Sequence, residues 1–157
     1  RNGQTDYRRR MKLLRGGDLR AVVRISNTQV ICQLIEFGMD GDNIFDSISG
    51  QTLVDNYKWP KNISRKSVPA SYLVGFALGN RAVKAGHKNA ILDIGLAASS
   101  PGNRVFAALK GMIDAGLEIP HGESVLPDED RINGLHINEN LAKSVLATKK
   151  AIEGAKK

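Results

Sequence analysis

The chain has 157 residues, 41% of them apolar, and a formal net charge of +7. This length supports one substantial core and argues against two separate domains. No run approaches the roughly 18 consecutive apolar residues of a membrane span, and the basic, polar start lacks an apolar signal-peptide core, which leaves a soluble intracellular protein as the expectation.

The first segment carries most of the charge. Residues 1 to 24 hold Arg1, Arg8, Arg9, Arg10, Lys12, Arg15, Arg20 and Arg24 against Asp6 and Asp18, six of the seven net positive charges. A basic arm on a near-neutral body suits a polyanion, because an extended charged segment neutralises many phosphates and releases their counterions. The arginine run also has Tyr7 before it, an aromatic ring for stacking on an unpaired base. The arm is therefore expected to bind RNA, against the blander reading of a solvated tail. A second basic cluster follows at Lys58, Lys61, Arg65 and Lys66, whereas Glu36 to Asp55 and Asp114 to Asp130 are acidic.

Leu19 to Phe37 has the pattern of a β-hairpin with a tight turn at Asn27-Thr28. That turn opposes Ile25 to Val30, Val23 to Cys32 and Ala21 to Leu34, giving one uniformly apolar face. The other face carries Arg20, Val22, Arg24, Ile31, Gln33 and Ile35. Cys32 is the only cysteine, so no internal disulfide is available, and a buried thiol in a reducing compartment is expected. Turn residues Asp40 to Asn43 lead into a third antiparallel strand, Ile44 to Ser49, followed by an irregular stretch, Gly50 to Pro69.

A helix is expected from Pro69 to near Gly86, with Gly75 and Gly79 one turn apart and allowing close packing. Ala90 to Gly95 reads as a short buried parallel strand. Ser99-Ser100-Pro101-Gly102-Asn103-Arg104 then forms a strand-to-helix loop, a place where backbone amides can meet phosphate. It has no Walker lysine and no Gly-x-Gly-x-x-Gly spacing, so it suits an RNA phosphate better than a nucleotide cofactor. Val105 to Ala115 reads as a second helix, Leu117 to Asn138 as an acidic loop region, and Glu139 to Ile152 as a last amphipathic helix whose end frays.

The expected fold is thus α/β: three antiparallel strands, helix, parallel strand, helix, a mixed sheet packed against helices. The expected organisation is a basic RNA-binding arm at 1–18, an α/β core at 19–120, and a loop with a C-terminal helix at 121–157. His87, His121 and His136 have no spacing that suggests zinc. Asp46 and Asp93 could be paired as metal carboxylates of a small nuclease, with the Ser99 to Arg104 loop serving a nucleotide-dependent enzyme. That alternative lacks a third acid. No catalytic residue, metal or cofactor is expected.

Five ordered segments together carry a family resemblance: Thr5-Asp6-Tyr7 with its arginines, Val23-Arg24-Ile25-Ser26-Asn27, Ile91-Leu92-Asp93-Ile94-Gly95-Leu96, Pro101-Gly102-Asn103-Arg104-Val105-Phe106-Ala107, and Ile113 through His121. They resemble the archaeal form of the universal L-eighteen family of large-subunit ribosomal proteins, over Thr5 to about Asn138. The resemblance implies a cytoplasmic, non-enzymatic constituent of the large subunit, located in the central protuberance. Its partners would be 5S rRNA, the large-subunit (23S-type) rRNA and neighbouring ribosomal proteins, with no membrane, DNA or cofactor. Carried onto this chain, the RNA contacts fall on Tyr7 to Arg15, on Arg20, Arg24, Asn27 and Gln33, on Lys58, Lys61, Arg65 and Lys66, and on Ser99, Ser100, Gly102, Asn103 and Arg104. Tyr72 joins Tyr7 as a candidate for stacking on an exposed base.

Overall fold

A computed structural model describes residue 3 and residues 5–155 of the chain. Arg1 of the basic arm and the final two lysines of the expected fraying end lie outside the described residues.

Helix α1, Tyr7–Leu14, is capped by Asp6, whose carboxylate accepts a 3.0 Å hydrogen bond from the Arg9 amide. The arm is therefore helical where an extended tail was expected. Strands β1 (Arg20–Ile25), β2 (Val30–Gly38) and β3 (Gly41–Ser49) form the antiparallel meander. The Ser26 amide donates to the Gln29 carbonyl at 2.9 Å across Asn27-Thr28, and the register opposes Ile25 to Val30, Val23 to Cys32 and Ala21 to Leu34, as the turn required. β3 is longer than expected and contains a bulge: Leu34 faces Asp46 while Ile35 faces Ile44, so Phe45 is the extra residue.

The stretch from Gly50 is not irregular throughout. Helix α2, Gly50–Asn56, is held by a capping box in which the Ser49 hydroxyl accepts from the Thr52 amide and the Thr52 hydroxyl accepts from the Ser49 amide. Helix α3 spans Val68–Lys84 with Pro69 in its first turn. β4, Ile91–Asp93, runs parallel to β1 and completes a sheet of order β3-β2-β1-β4. Helix α4 is Arg104–Asp114; the acidic region beyond it contains a 3-10 turn at Glu123–Val125 and a short α5, Glu129–Ile132; α6 is Leu141–Gly154.

The core fills the space between one sheet face and α3 with α4. Ala21, Val23, Val30, Cys32 and Leu34 are all buried there, joined by Leu73, Leu78, Leu109 and Met112. Ile132, Leu141, Val145 and Ile152 belong to the same cluster, so the C-terminal segment packs onto this core. α3 and α4 approach closely because glycines meet backbone: a Cβ on Gly75 would lie 2.0 Å from the Ala108 carbonyl oxygen, and one on Gly111 2.1 Å from that of Tyr72.

Candidate RNA-binding surface

The sheet's other face is the open one, and α1 sits against it. Arg20 and Asp93 project from it, as does Asp42, two positions from Ile44 on the same side of β3. Asp42 accepts from Arg10 at 2.9 Å and from Arg20 at 2.7 Å, and Arg20 also pairs with Asp93 at 3.1 Å. The Arg9 guanidinium donates to the Gly95 carbonyl at 2.8 Å, pinning the same helix to the loop after β4. Burial works against ionisation of Asp42, yet the hydrogen bonds from Arg10 and Arg20 outweigh it and hold the carboxyl below its ordinary value.

Helical spacing sorts the arm's cations. At roughly 100° per residue, Arg8, Lys12 and Arg15 form one stripe and Arg10 lies roughly opposite. Arg10 meets Asp42 on the sheet, while Arg8, Lys12 and Arg15 are all exposed. Tyr7 is 59% exposed at the helix start. Arg24 is exposed further along the open face, with half-buried Gln33 in the adjacent strand.

A second group of predicted residues gathers at the hairpin tip. The Lys66 ammonium donates to the Asn27 carbonyl at 2.7 Å, and the Val30 amide donates to the Arg65 carbonyl at 3.1 Å. Arg65 also hydrogen-bonds the Gln51 side chain, whose own backbone amide donates to Gln29. Arg104 reaches the Lys66 carbonyl at 3.5 Å. Three segments distant in sequence are thus brought together, with Lys58 and Lys61 exposed on the same loop.

Three expectations are corrected. Tyr72 is only 3% exposed; its hydroxyl donates to Asp114 at 2.9 Å and accepts from Lys149 at 3.0 Å, so the ring is a core element closed to an RNA base. Burial, reinforced by the Asp114 carboxylate, raises its pKa well above the usual tyrosine value. Arg20 is 2% exposed between two carboxylates and organises the face without being open to phosphate. In the Ser99 to Arg104 loop the Gly102 amide donates to the Val125 carbonyl and the Asn103 amide to the Ser100 carbonyl, so these two are not presented to a phosphate, while Ser99 and Ser100 are exposed.

The nuclease alternative fails on geometry. Asp46 opposes Leu34 on the core-facing side and pairs with Arg81 at 3.2 Å, whereas Asp93 opposes Val22 on the open side. Carboxylates on opposite faces of a sheet do not share a metal. His87 packs against Phe45, with ring centroids 4.8 Å apart, and His121 bonds the Ile119 carbonyl. No described helix is long and apolar enough to cross a membrane.

A family model described as ribosomal large subunit proteins 60S L5 and 50S L18 matches residues 1–90 and 84–122. The large ribosomal subunit protein uL18 of Methanothermobacter thermautotrophicus is 50% identical over 139 residues, covering 88% of this chain and 71% of the relative. That of Methanoculleus marisnigri is 49% identical over 87% of this chain and 77% of the relative, and that of Haloferax volcanii 45% identical over 88% and 74%. Proteins of this kind are structural parts of a cytoplasmic particle rather than enzymes. With a matched region reaching from the arm through α4, the chain belongs to the family of large-subunit ribosomal proteins, in its archaeal form.

Proposed function

We propose that this ribosomal protein binds 5S rRNA through α1 and the open sheet face and helps attach it to the large-subunit (23S-type) rRNA in the central protuberance, beside neighbouring ribosomal proteins. One observation carries the reading. Arg10 is engaged by the protein itself, which orients α1 so that Arg8, Lys12 and Arg15 stand outward as a cationic stripe, and Arg24 is exposed on the open sheet face. A docked helix presents these charges to phosphate with less ordering cost than a free tail. The hairpin-tip group of Asn27, Arg65, Lys66 and Arg104, with Lys58 and Lys61, supplies a second set of donors, suited to the other RNA. Phosphate contacts position the protein, and the shaped face fits a folded RNA.

The test is competitive binding of labelled 5S rRNA to the full chain at fixed salt, with excess transfer RNA as the non-specific competitor. Retained 5S rRNA supports the proposal. Equal displacement by transfer RNA would reduce it to general polyanion binding.

A further inference from the structure

We propose that the cleft between α1 and the β1–β4 edge holds one unpaired RNA nucleotide, an inference that rests on the RNA-binding reading above. The cleft encloses about 530 Å³, within the size range of small-ligand sites. Its lining combines an apolar floor with cationic walls. Val22 and Ile94 contribute aliphatic surface, Leu96 stands at the cleft 59% exposed, and Arg9, Arg10 and Arg24 supply charge. The two acids present are already committed. Asp6 caps α1, and Asp93 accepts from Arg20 and from the Gly95 amide. Flat apolar faces with an attached anion are what such a lining complements.

Backbone polarity supplies the groups that would read a base edge. The bond from the Ser26 amide to the Gln29 carbonyl sets the antiparallel alternation, so Val22 and Arg24 turn their backbone groups toward β2 while Val23 and Ile25 turn theirs toward the β4 side. β4 ends at Asp93, opposite Val22. Beyond that point no strand among the described residues covers the Ile25 amide and carbonyl, and both Val23 and Ile25 line the cleft. Arg20 lines the same cleft but is 2% exposed and spent on Asp42 and Asp93, so the cation open to a ligand beside the strand edge is exposed Arg24. An apolar floor beside a strand edge that no described strand covers suits a polar-edged planar group. A base is reached there only when unpaired, because a duplex is too wide to enter under α1.

The experiment is an amide-resolved NMR titration of the full chain with tetrauridylate, tetraadenylate and a blunt RNA duplex, run beside 5S rRNA binding. A single-stranded probe is expected to shift the amides of Val23, Ile25 and Gly95, and Leu96→Glu to weaken it about tenfold without altering thermal stability. The duplex is expected to leave those three amides unmoved. If the tetranucleotides shift only the amides around Arg8 and Lys12, or if Leu96→Glu changes nothing while the chain still binds 5S rRNA, the cleft assignment is overturned and the RNA-binding reading stands. If 5S rRNA does not bind either, both fall together.

Discussion

Arg20 and Asp42 meet at 2.7 Å across the open face of the sheet, and the same carboxylate receives Arg10 from the arm. A side chain on β1 and a residue near the β2–β3 turn thereby decide where the N-terminal helix rests.

Replacing Arg20 with methionine would leave Asp42 and Asp93 without their shared cation. Both carboxylates retain some solvent, at 26% and 13% exposure, which softens the penalty. The expected loss of stability is about 2–4 kcal/mol, read as a lower urea midpoint. Arg24→Met, an exposed change on the same strand, is expected to stay within ~0.5 kcal/mol.

The outward stripe makes a different prediction. Arg8→Gln or Lys12→Gln should leave the melting temperature unchanged and reduce the slope of log affinity for 5S rRNA against log salt by about 0.7–0.9 for each phosphate that is no longer neutralised. Arg10→Gln is expected to act in another way, undocking α1 from Asp42, and so to raise the proteolytic sensitivity of the arm.

Asp42 gives the arm a pH dependence of defined sign. Its carboxyl titrates below its ordinary value of 3.8 when folded, so the docking contributes fully above that value and is lost as pH falls through the lower, folded value. Release of α1 on acidification, followed by the Arg9 and Arg10 resonances, should therefore come in the acid range below the ordinary carboxylate titration. Asp42→Asn should weaken docking at neutral pH and remove that step.

Packing between α3 and α4 predicts opposite outcomes for two glycines. Gly75→Ala drives a methyl into the Ala108 backbone and should cost about 2–3 kcal/mol or more. Gly154→Ala, at the end of α6 with open space around it, is expected to be neutral or stabilising by up to ~1 kcal/mol. Thermal unfolding of the two variants checks both.

The hairpin register was legible because a two-residue turn and a period-two pattern constrain each other, and Gly75 announced close packing through its spacing. The helical state of the arm was hidden. Tyr7, Met11 and Leu14 stand at helical spacing, but α1 buries no residue and the charges between them dominate the pattern, and Asp6 as its cap is visible only once a helix is suspected. α2 was missed although Ser49 and Thr52 stand at capping-box spacing, because seven residues carry too little periodicity to compete with the turn signals around them. Among site residues, composition identified the cations without showing their partners. Arg20 and Arg24 look equivalent on one strand, and only the position of Asp42 and Asp93 makes one an internal brace and the other a surface charge. Tyr72 lies four residues from Phe76 on α3, and the packing of α6 over both, with Lys149 above the two rings, is a long-range event that local pattern does not contain.

The central proposal, that α1 and the open sheet face hold 5S rRNA, is tested most directly by nuclease protection of 5S rRNA with the full chain and with a variant carrying Arg8→Glu, Lys12→Glu, Arg15→Glu and Arg24→Glu. A discrete protected region with the native chain, erased in the variant while its melting temperature is kept, is the predicted result. Full protection by the folded variant would contradict it.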